Sequence, residues 1–359
     1  MVGCQKHFRT RRKKVGFKVV NALCTPGIDF GEKHLDGLGV TLVKGEWHEE
    51  EELINHSQGA DAIICSGPSQ PWTSRVIRTL SRCRILATPS IGYDRIDVDA
   101  ATEQSIAVTN VPDYCIDEVS NQAIALLMAL HRKIVTIDRA VRDEQAHLTP
   151  FQKEALEKHA CPIHRLQNQT LGIIGFGKIG TTVALKARGL GLRVIAYDPY
   201  VYGPVMKSHG ADPVDLDTLF TESDYVSIHA FLSDETRAMV GEKAFRRMKP
   251  SSYLINTARG PIVDQQALIR ALKEGRIAGA GLDVTAVEPI PKEDPILGFS
   301  NVILSGHSAW YSTASNSNEE LWHKAALQVA SALKGEWPCY AVNPQAKKEW
   351  LQKWRSPVE

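Results

Sequence analysis

Leu171-Gly172-Ile173-Ile174-Gly175-Phe176-Gly177-Lys178-Ile179-Gly180 is the stretch that decides the fold of this chain. An apolar run, a Gly-x-Gly-x-x-Gly spacing and a helix-forming continuation follow one another, which is the order of strand, tight turn and helix in dinucleotide-binding α/β units. In that order Gly175 serves the turn, Gly177 lets a pyrophosphate approach the backbone, and Gly180 lets the helix pack on the strand. Amide N–H groups and the positive end of the helix dipole then hold phosphate oxygens. The next strand-like run closes on Tyr197-Asp198-Pro199. A carboxylate there accepts hydrogen bonds from the ribose hydroxyls of NAD and repels the 2′-phosphate of NADP.

Outward from this stretch, β-branched runs alternate with helical patterns. Strands are expected at 170–174, 193–197, 225–229, 252–256, 279–284 and 302–305, six in all, enough for a doubly wound Rossmann sheet. Before them, runs at 17–23, 60–65, 85–88 and 107–110 show the same βα rhythm and predict a second parallel sheet. Ile116, Val119, Ala123, Leu127, Leu130, Ile134, Ile137 and Val141 recur at spacings of three and four, which predicts one long helix after Pro112. The expected fold class is therefore α/β, two doubly wound parallel-sheet lobes with a cleft between them. A Rossmann dinucleotide-binding domain at 113–310 is inserted into a flavodoxin-like substrate domain formed by 1–112 and 311–359. Residues 1–14, charged and without hydrophobic periodicity, read as a mobile tail, and 143–168 as a polar connection.

Composition narrows the function. Lys plus Arg is 42 against 41 Asp plus Glu, so the net charge of +1 provides no global field for nucleic acid or an anionic membrane. The longest apolar stretch, Ala123 to Leu130, is far short of the roughly 20 residues a bilayer requires. The 7 cysteines, Cys4, Cys24, Cys65, Cys83, Cys115, Cys161 and Cys339, lack metal-ligand spacing and read as reduced thiols of a cytoplasmic protein. No metal site is expected.

Three further segments follow predicted strands, on the carboxyl edge where ligands of this fold bind. They are Ile255-Asn256-Thr257-Ala258-Arg259-Gly260, Gly281-Leu282-Asp283-Val284-Thr285-Ala286-Val287-Glu288-Pro289 and Leu304-Ser305-Gly306-His307-Ser308-Ala309-Trp310. With the glycine loop, they resemble the D-isomer-specific 2-hydroxyacid dehydrogenases over residues 17–345. The resemblance implies an NAD-dependent oxidoreductase that interconverts a 2-oxo acid and a D-2-hydroxy acid. Arg259, Glu288 and His307 would be its catalytic residues. A guanidinium suits an α-carboxylate and the neighbouring carbonyl, an imidazole suits proton delivery near neutral pH, and a carboxylate beside it favours its charged form. Cofactor contacts implied are Gly175, Gly177, Lys178, Ile179, Gly180, Asp198, Thr236, Thr257, Ala258, Arg259 and Asp283. In Ser90-Ile91-Gly92-Tyr93-Asp94, the amides of Ile91 and Gly92 would receive the substrate carboxylate, and Asn110-Val111-Pro112 would be the hinge between lobes. The family pattern also implies a homodimer formed through the NAD-binding domain.

Ala309-Trp310-Tyr311-Ser312 after the histidine resembles the branch of the carboxy-terminal binding protein corepressors, and places Trp310 against the substrate side chain. That likeness keeps a second reading open, an NAD(H)-sensing dimeric scaffold with little catalysis; a phosphoglycerate-type dehydrogenase is a third. Departures from the family pattern fall at Thr88, at Asn121-Gln122 and at Phe231. Glu288 is acidic where the formate branch carries glutamine, and Ile91 takes the place of the phosphite branch's lysine.

Overall fold

The computed structural model describes residues 16–24, 27–144, 157, 162–316 and 318–355. The chain divides into two compact units, one running to Tyr114 and resuming at Thr313, the other Cys115–Ser312. The expected tail and most of the expected polar connection lie outside the described residues.

In the first unit, β1 (Phe17–Asn21), β2 (Val40–Lys44), β3 (Ala62–Ile64), β4 (Ile85–Ala87) and β5 (Ala107–Thr109) form a parallel sheet in the order β2-β1-β3-β4-β5. This is the flavodoxin-like order. The three inner-to-far strands β3, β4 and β5 are buried at every position, as a sheet covered on both faces requires. Leu53, Trp72 and Ile77 cover one face. The returning helices His323–Leu333 and Lys347–Trp354 cover the other, with Val329, Leu333 and Trp350 packed on Val19 and Ile85. Asn343 seals the return: its Oδ1 accepts the Val108 N–H at 2.9 Å, and its Nδ2 donates to Ile106 O at 2.9 Å.

The second unit holds β6 (Thr170–Ile174), β7 (Arg193–Tyr197), β8 (Asp212–Pro213), β9 (Tyr225–Ile228), β10 (Tyr253–Asn256), β11 (Gly279–Leu282) and β12 (Val302–Leu304). All pair in parallel, in the order β12-β11-β10-β9-β6-β7-β8. The chain leaves β6 toward β7 on one side and returns at β9 on the other, so the crevice of the Rossmann fold opens above β6. The sheet has seven strands where six were expected. The extra one, β8, is a two-residue edge strand containing Pro213, a residue an edge tolerates.

The predicted long helix is two helices, Ile116–His131 and Ile134–Glu144. Lys133 takes the left-handed conformation (φ 54°) and its N–H caps Leu130 O at 3.1 Å, which ends the first helix. The apolar stripe changes role at the break. Val119, Ala123, Leu127 and Leu130 are buried, whereas Ile134 is 54% and Val141 36% exposed.

Candidate active site

The turn from β6 into the helix Lys178–Gly189 is built on absent side chains. Gly175 adopts φ 90°, and a Cβ there would come within 2.5 Å of Ala230 N. A Cβ on Gly180 would overlap Gly175 O, so helix and turn touch backbone to backbone. Around Gly177 no described atom beyond its chain neighbours lies within 4 Å of the Cβ position, which leaves the loop open for a phosphate to approach. Lys178 and Ile179 begin the helix there. Asp198 is tied to the same loop: its Oδ2 accepts the Phe176 N–H at 2.8 Å, and its Oδ1 the Tyr200 N–H at 2.9 Å. Each oxygen keeps a lone pair for a ribose hydroxyl. Thr236 pins the loop after β9, donating to Phe231 O at 2.7 Å and accepting the Ser233 N–H at 2.8 Å.

Two polar atoms at neighbouring strand ends lack a partner among the described residues, His229 Nδ1 after β9 and Thr257 Oγ1 after β10. Desolvation drives the His229 imidazole down to about 3, so it is neutral, and its Nε2 pairs with Ser227 Oγ at 2.8 Å. Buried polar atoms without partners are costly, and a bound polar ligand relieves that cost. The sequence showed His229 only as the end of a strand. Its orphaned nitrogen is a product of packing that no motif announces.

The loops after β10, β11 and β12 carry the remaining groups. Asn256 shapes the first, its Oδ1 accepting the Ala258 N–H at 3.0 Å and its Nδ2 donating to Arg259 O at 2.9 Å. Arg259, half-buried, donates from a terminal nitrogen to Ala258 O at 2.8 Å. Gly260 lets this loop press on the next, because a Cβ there would overlap the Thr285 carbonyl. The Thr285 N–H in turn donates to Glu288 Oε1 at 2.9 Å. Glu288 Oε2 lies 2.7 Å from His307 Nδ1. Burial alone would raise the Glu288 carboxyl. The bonds from His307 and Thr285, with the charges of His307 and Arg259, outweigh it and hold Glu288 below its ordinary range. A carboxyl lowered in this way stabilises the fold above its unfolded-state value, and that contribution is lost as pH falls through the folded value.

His307 itself sits at φ 57°, an uncommon conformation for a residue with a side chain. Asp283 holds it there. The His307 N–H donates to Asp283 O at 2.6 Å, and Asp283 Oδ1 accepts Ser305 Oγ at 2.6 Å and the Ser308 N–H at 3.0 Å. The carboxylate expected at the cofactor thus also shapes the imidazole's loop. Trp310, half-buried, meets Tyr311 edge to face with centroids 5.6 Å apart. Because two loops meet at Gly260, Gly260→Ala is expected to cost about 3 kcal/mol of stability by overpacking. Chemical denaturation measures it, and an unchanged midpoint would contradict the contact.

In the other unit, Asn110 Nδ2 donates to Ile91 O at 2.8 Å, and Ser90 Oγ to Gly92 O at 2.7 Å. The amides of Ile91 and Gly92 donate to no acceptor among the described residues. Thr88, which departs from the family pattern, accepts the Gly67 N–H at 2.8 Å. Among the described residues no helix is long and apolar enough to cross a membrane, and no group of three or more His, Cys, Asp or Glu side chains could hold a metal ion.

An open glycine loop beside an acidic strand end, with orphaned polar atoms over the next two strands, is the arrangement of a dinucleotide-binding Rossmann unit. Residues 124–309 match the profile of the D-isomer specific 2-hydroxyacid dehydrogenase, NAD binding domain, and the chain belongs to that family. It is 39% identical over 296 residues to a glyoxylate reductase of Korarchaeum cryptofilum, covering 82% of this chain and 86% of that one. The fold is similar to the NAD complexed form of a D-isomer specific 2-hydroxyacid dehydrogenase from Lactobacillus delbrueckii ssp. bulgaricus, with TM-score 0.70, 27% identity, and coverage of 90% and 100%. It is also similar to an acyclic imino acid reductase in complex with NADPH and D-arginine, with TM-score 0.77, 30% identity, and coverage of 91% and 100%. The chain is an oxidoreductase of CH–OH groups with a nicotinamide dinucleotide cofactor.

Proposed function

We propose that this chain is an NAD-dependent D-2-hydroxyacid dehydrogenase that reversibly reduces a 2-oxo acid to the D-2-hydroxy acid. The observation that carries the reading is the 2.7 Å pair of His307 Nδ1 and Glu288 Oε2, with the charge of Arg259 bearing on the same carboxylate. With Nδ1 committed to Glu288, the other ring nitrogen, Nε2, is the one that exchanges a proton with substrate.

The open turn at Gly175, Gly177 and Gly180, the helix start at Lys178 and Ile179, and Asp198 hold the diphosphate and adenosine ribose. Thr236, Thr257, Ala258 and Asp283 complete the cofactor's contacts. A reduced nicotinamide held by these residues would supply the hydride for the carbonyl carbon. Arg259 grips the α-carboxylate and polarises the ketone, so negative charge gathers on the oxygen it faces. His307 delivers a proton to that oxygen, and in the reverse direction removes it. Glu288 stabilises the imidazolium and fixes its tautomer. Ile91 and Gly92 are assigned to the carboxylate and Trp310 to the substrate side chain on the family pattern. The same reading carries a homodimer through the NAD-binding domain and a cytoplasmic setting.

The pH dependence tests the proton assignment. Reduction needs the charged imidazole and is expected to fall as pH rises, while oxidation needs the neutral ring and is expected to rise. Because Glu288 is ionised well into the acid range, it does not limit reduction near neutrality. Glu288→Gln removes the carboxylate that faces the imidazole, so the pH profile of reduction is expected to move to lower pH in the variant. Superimposable profiles for variant and parent would sink the role of Glu288.

A further inference from the structure

Beyond Asp198, one side chain crosses from the turn after β7 to the loop after β9. Tyr200 is 80% exposed, yet its hydroxyl donates to Glu235 Oε2 at 2.5 Å. Its backbone N–H is held by Asp198 Oδ1, and Asp198 Oδ2 is held by the Phe176 N–H in the glycine turn. β7 and β9 are the two neighbours of β6 in the sheet, so this hydrogen-bonded series passes over the end of β6, where the glycine turn begins. From the far side, the Thr236 bonds to Phe231 and Ser233 fix the loop that carries Glu235. The bond to Glu235 and its charge, with smaller contributions from desolvation, Tyr197 and last Asp198, push the phenol's titration upward, so both carboxylates bear on one hydroxyl. Neither carboxylate pairs with a Lys or Arg among the described residues.

We propose that Tyr200 and Glu235 form a strap over the adenosine end of the dinucleotide site, and that Glu235 is a second determinant, beside Asp198, of the choice of NAD over NADP. The inference rests on the dinucleotide reading of this site. A ribose 2′-hydroxyl is neutral and meets acceptors there. A 2′-phosphate brings nearly two negative charges and meets two carboxylates, neither ion-paired to a Lys or Arg among the described residues. Tyr200 acts as a positioning residue: its hydroxyl holds Glu235 at the ribose side, where the carboxylate would otherwise turn to water.

The test is equilibrium binding of NADH and of NADPH to the full-length protein, followed by nucleotide fluorescence, for the parent, Glu235→Gln and Tyr200→Phe. The parent is expected to bind NADH more tightly. Glu235→Gln, which keeps a hydrogen-bond acceptor and loses the charge, is expected to tighten NADPH about fivefold while NADH moves less than about twofold, with the gain shrinking at high salt. Tyr200→Phe is expected to give part of the same NADPH gain and to speed NADH release. A parent that prefers NADPH, or a Glu235→Gln protein with the parent's NADPH to NADH ratio at low salt, overturns the proposal. Asp198→Ala separates the two levels of failure. If Asp198→Ala shifts the ratio and Glu235→Gln does not, the strap alone is wrong. If the parent binds neither nucleotide, the dinucleotide reading falls and the strap with it.

Discussion

His307→Ala is expected to lower kcat for 2-oxo acid reduction by about a thousandfold, the middle of the range for a positioned acid. NADH affinity should stay close to the parent's, because no atom of His307 is assigned to the nucleotide. The physical reason lies in its neighbours. The loop backbone is fixed by the His307 N–H to Asp283 O bond and by Asp283 Oδ1, neither of which uses the imidazole. These bonds keep the loop in place although alanine is no better accommodated than histidine at φ 57°, so the loss is one of proton delivery. Stopped-flow oxidation of NADH by the oxo acid reads the step itself. Turnover equal to the parent's would remove His307 from the mechanism.

Arg259→Ala is expected to damage affinity and rate together, with kcat/KM falling by roughly a thousandfold or more, since both a charged carboxylate contact and a carbonyl-polarising contact disappear. Arg259→Lys restores a positive charge without the planar fork, and should recover only part of the loss. Steady-state kinetics against oxo acid concentration separate the two contributions. A variant with a normal KM and a normal kcat would place the guanidinium outside the site. The effect on Glu288 gives an independent check, because removing Arg259 takes away one of the charges that hold that carboxyl low.

Much of this arrangement could be read from residues alone, for reasons that differ by element. β3, β4, β6 and β9 are buried at every position, and apolar residues dominate them, broken only by Thr170 and Gly172 in β6 and Ser227 in β9. The glycine turn was legible because its geometry excludes side chains at defined steps. β2 was missed because no position of this edge strand is buried and its exposure does not alternate cleanly, and β8 because two residues carry no periodicity. The break at Lys133 was hidden for a different reason: the helical spacing of apolar residues runs straight through it, and only burial shows that Ile134 no longer faces the core. Within the site, residue types pointed to Arg259, Glu288 and His307, but not to the bonds that join them. Those depend on Gly260 meeting Thr285 and on His307 entering the left-handed region, both consequences of loop packing. Asp283 stood in the sequence as an expected cofactor contact, whereas its hold on the His307 loop had no signal there. The Tyr200–Glu235 bond joins loops 35 residues apart in sequence and has no local signature.

The measurement that bears most directly on the whole account is NADH consumption by the purified protein across 2-oxo acids from glyoxylate to aromatic and thioether side chains, with chiral analysis of each product that has a stereocentre. Turnover on the order of 1 to 1,000 per second is expected for at least one member of the panel, with the D-2-hydroxy acid as the product. Bound NADH that no oxo acid oxidises, or a product of the L configuration, would contradict it.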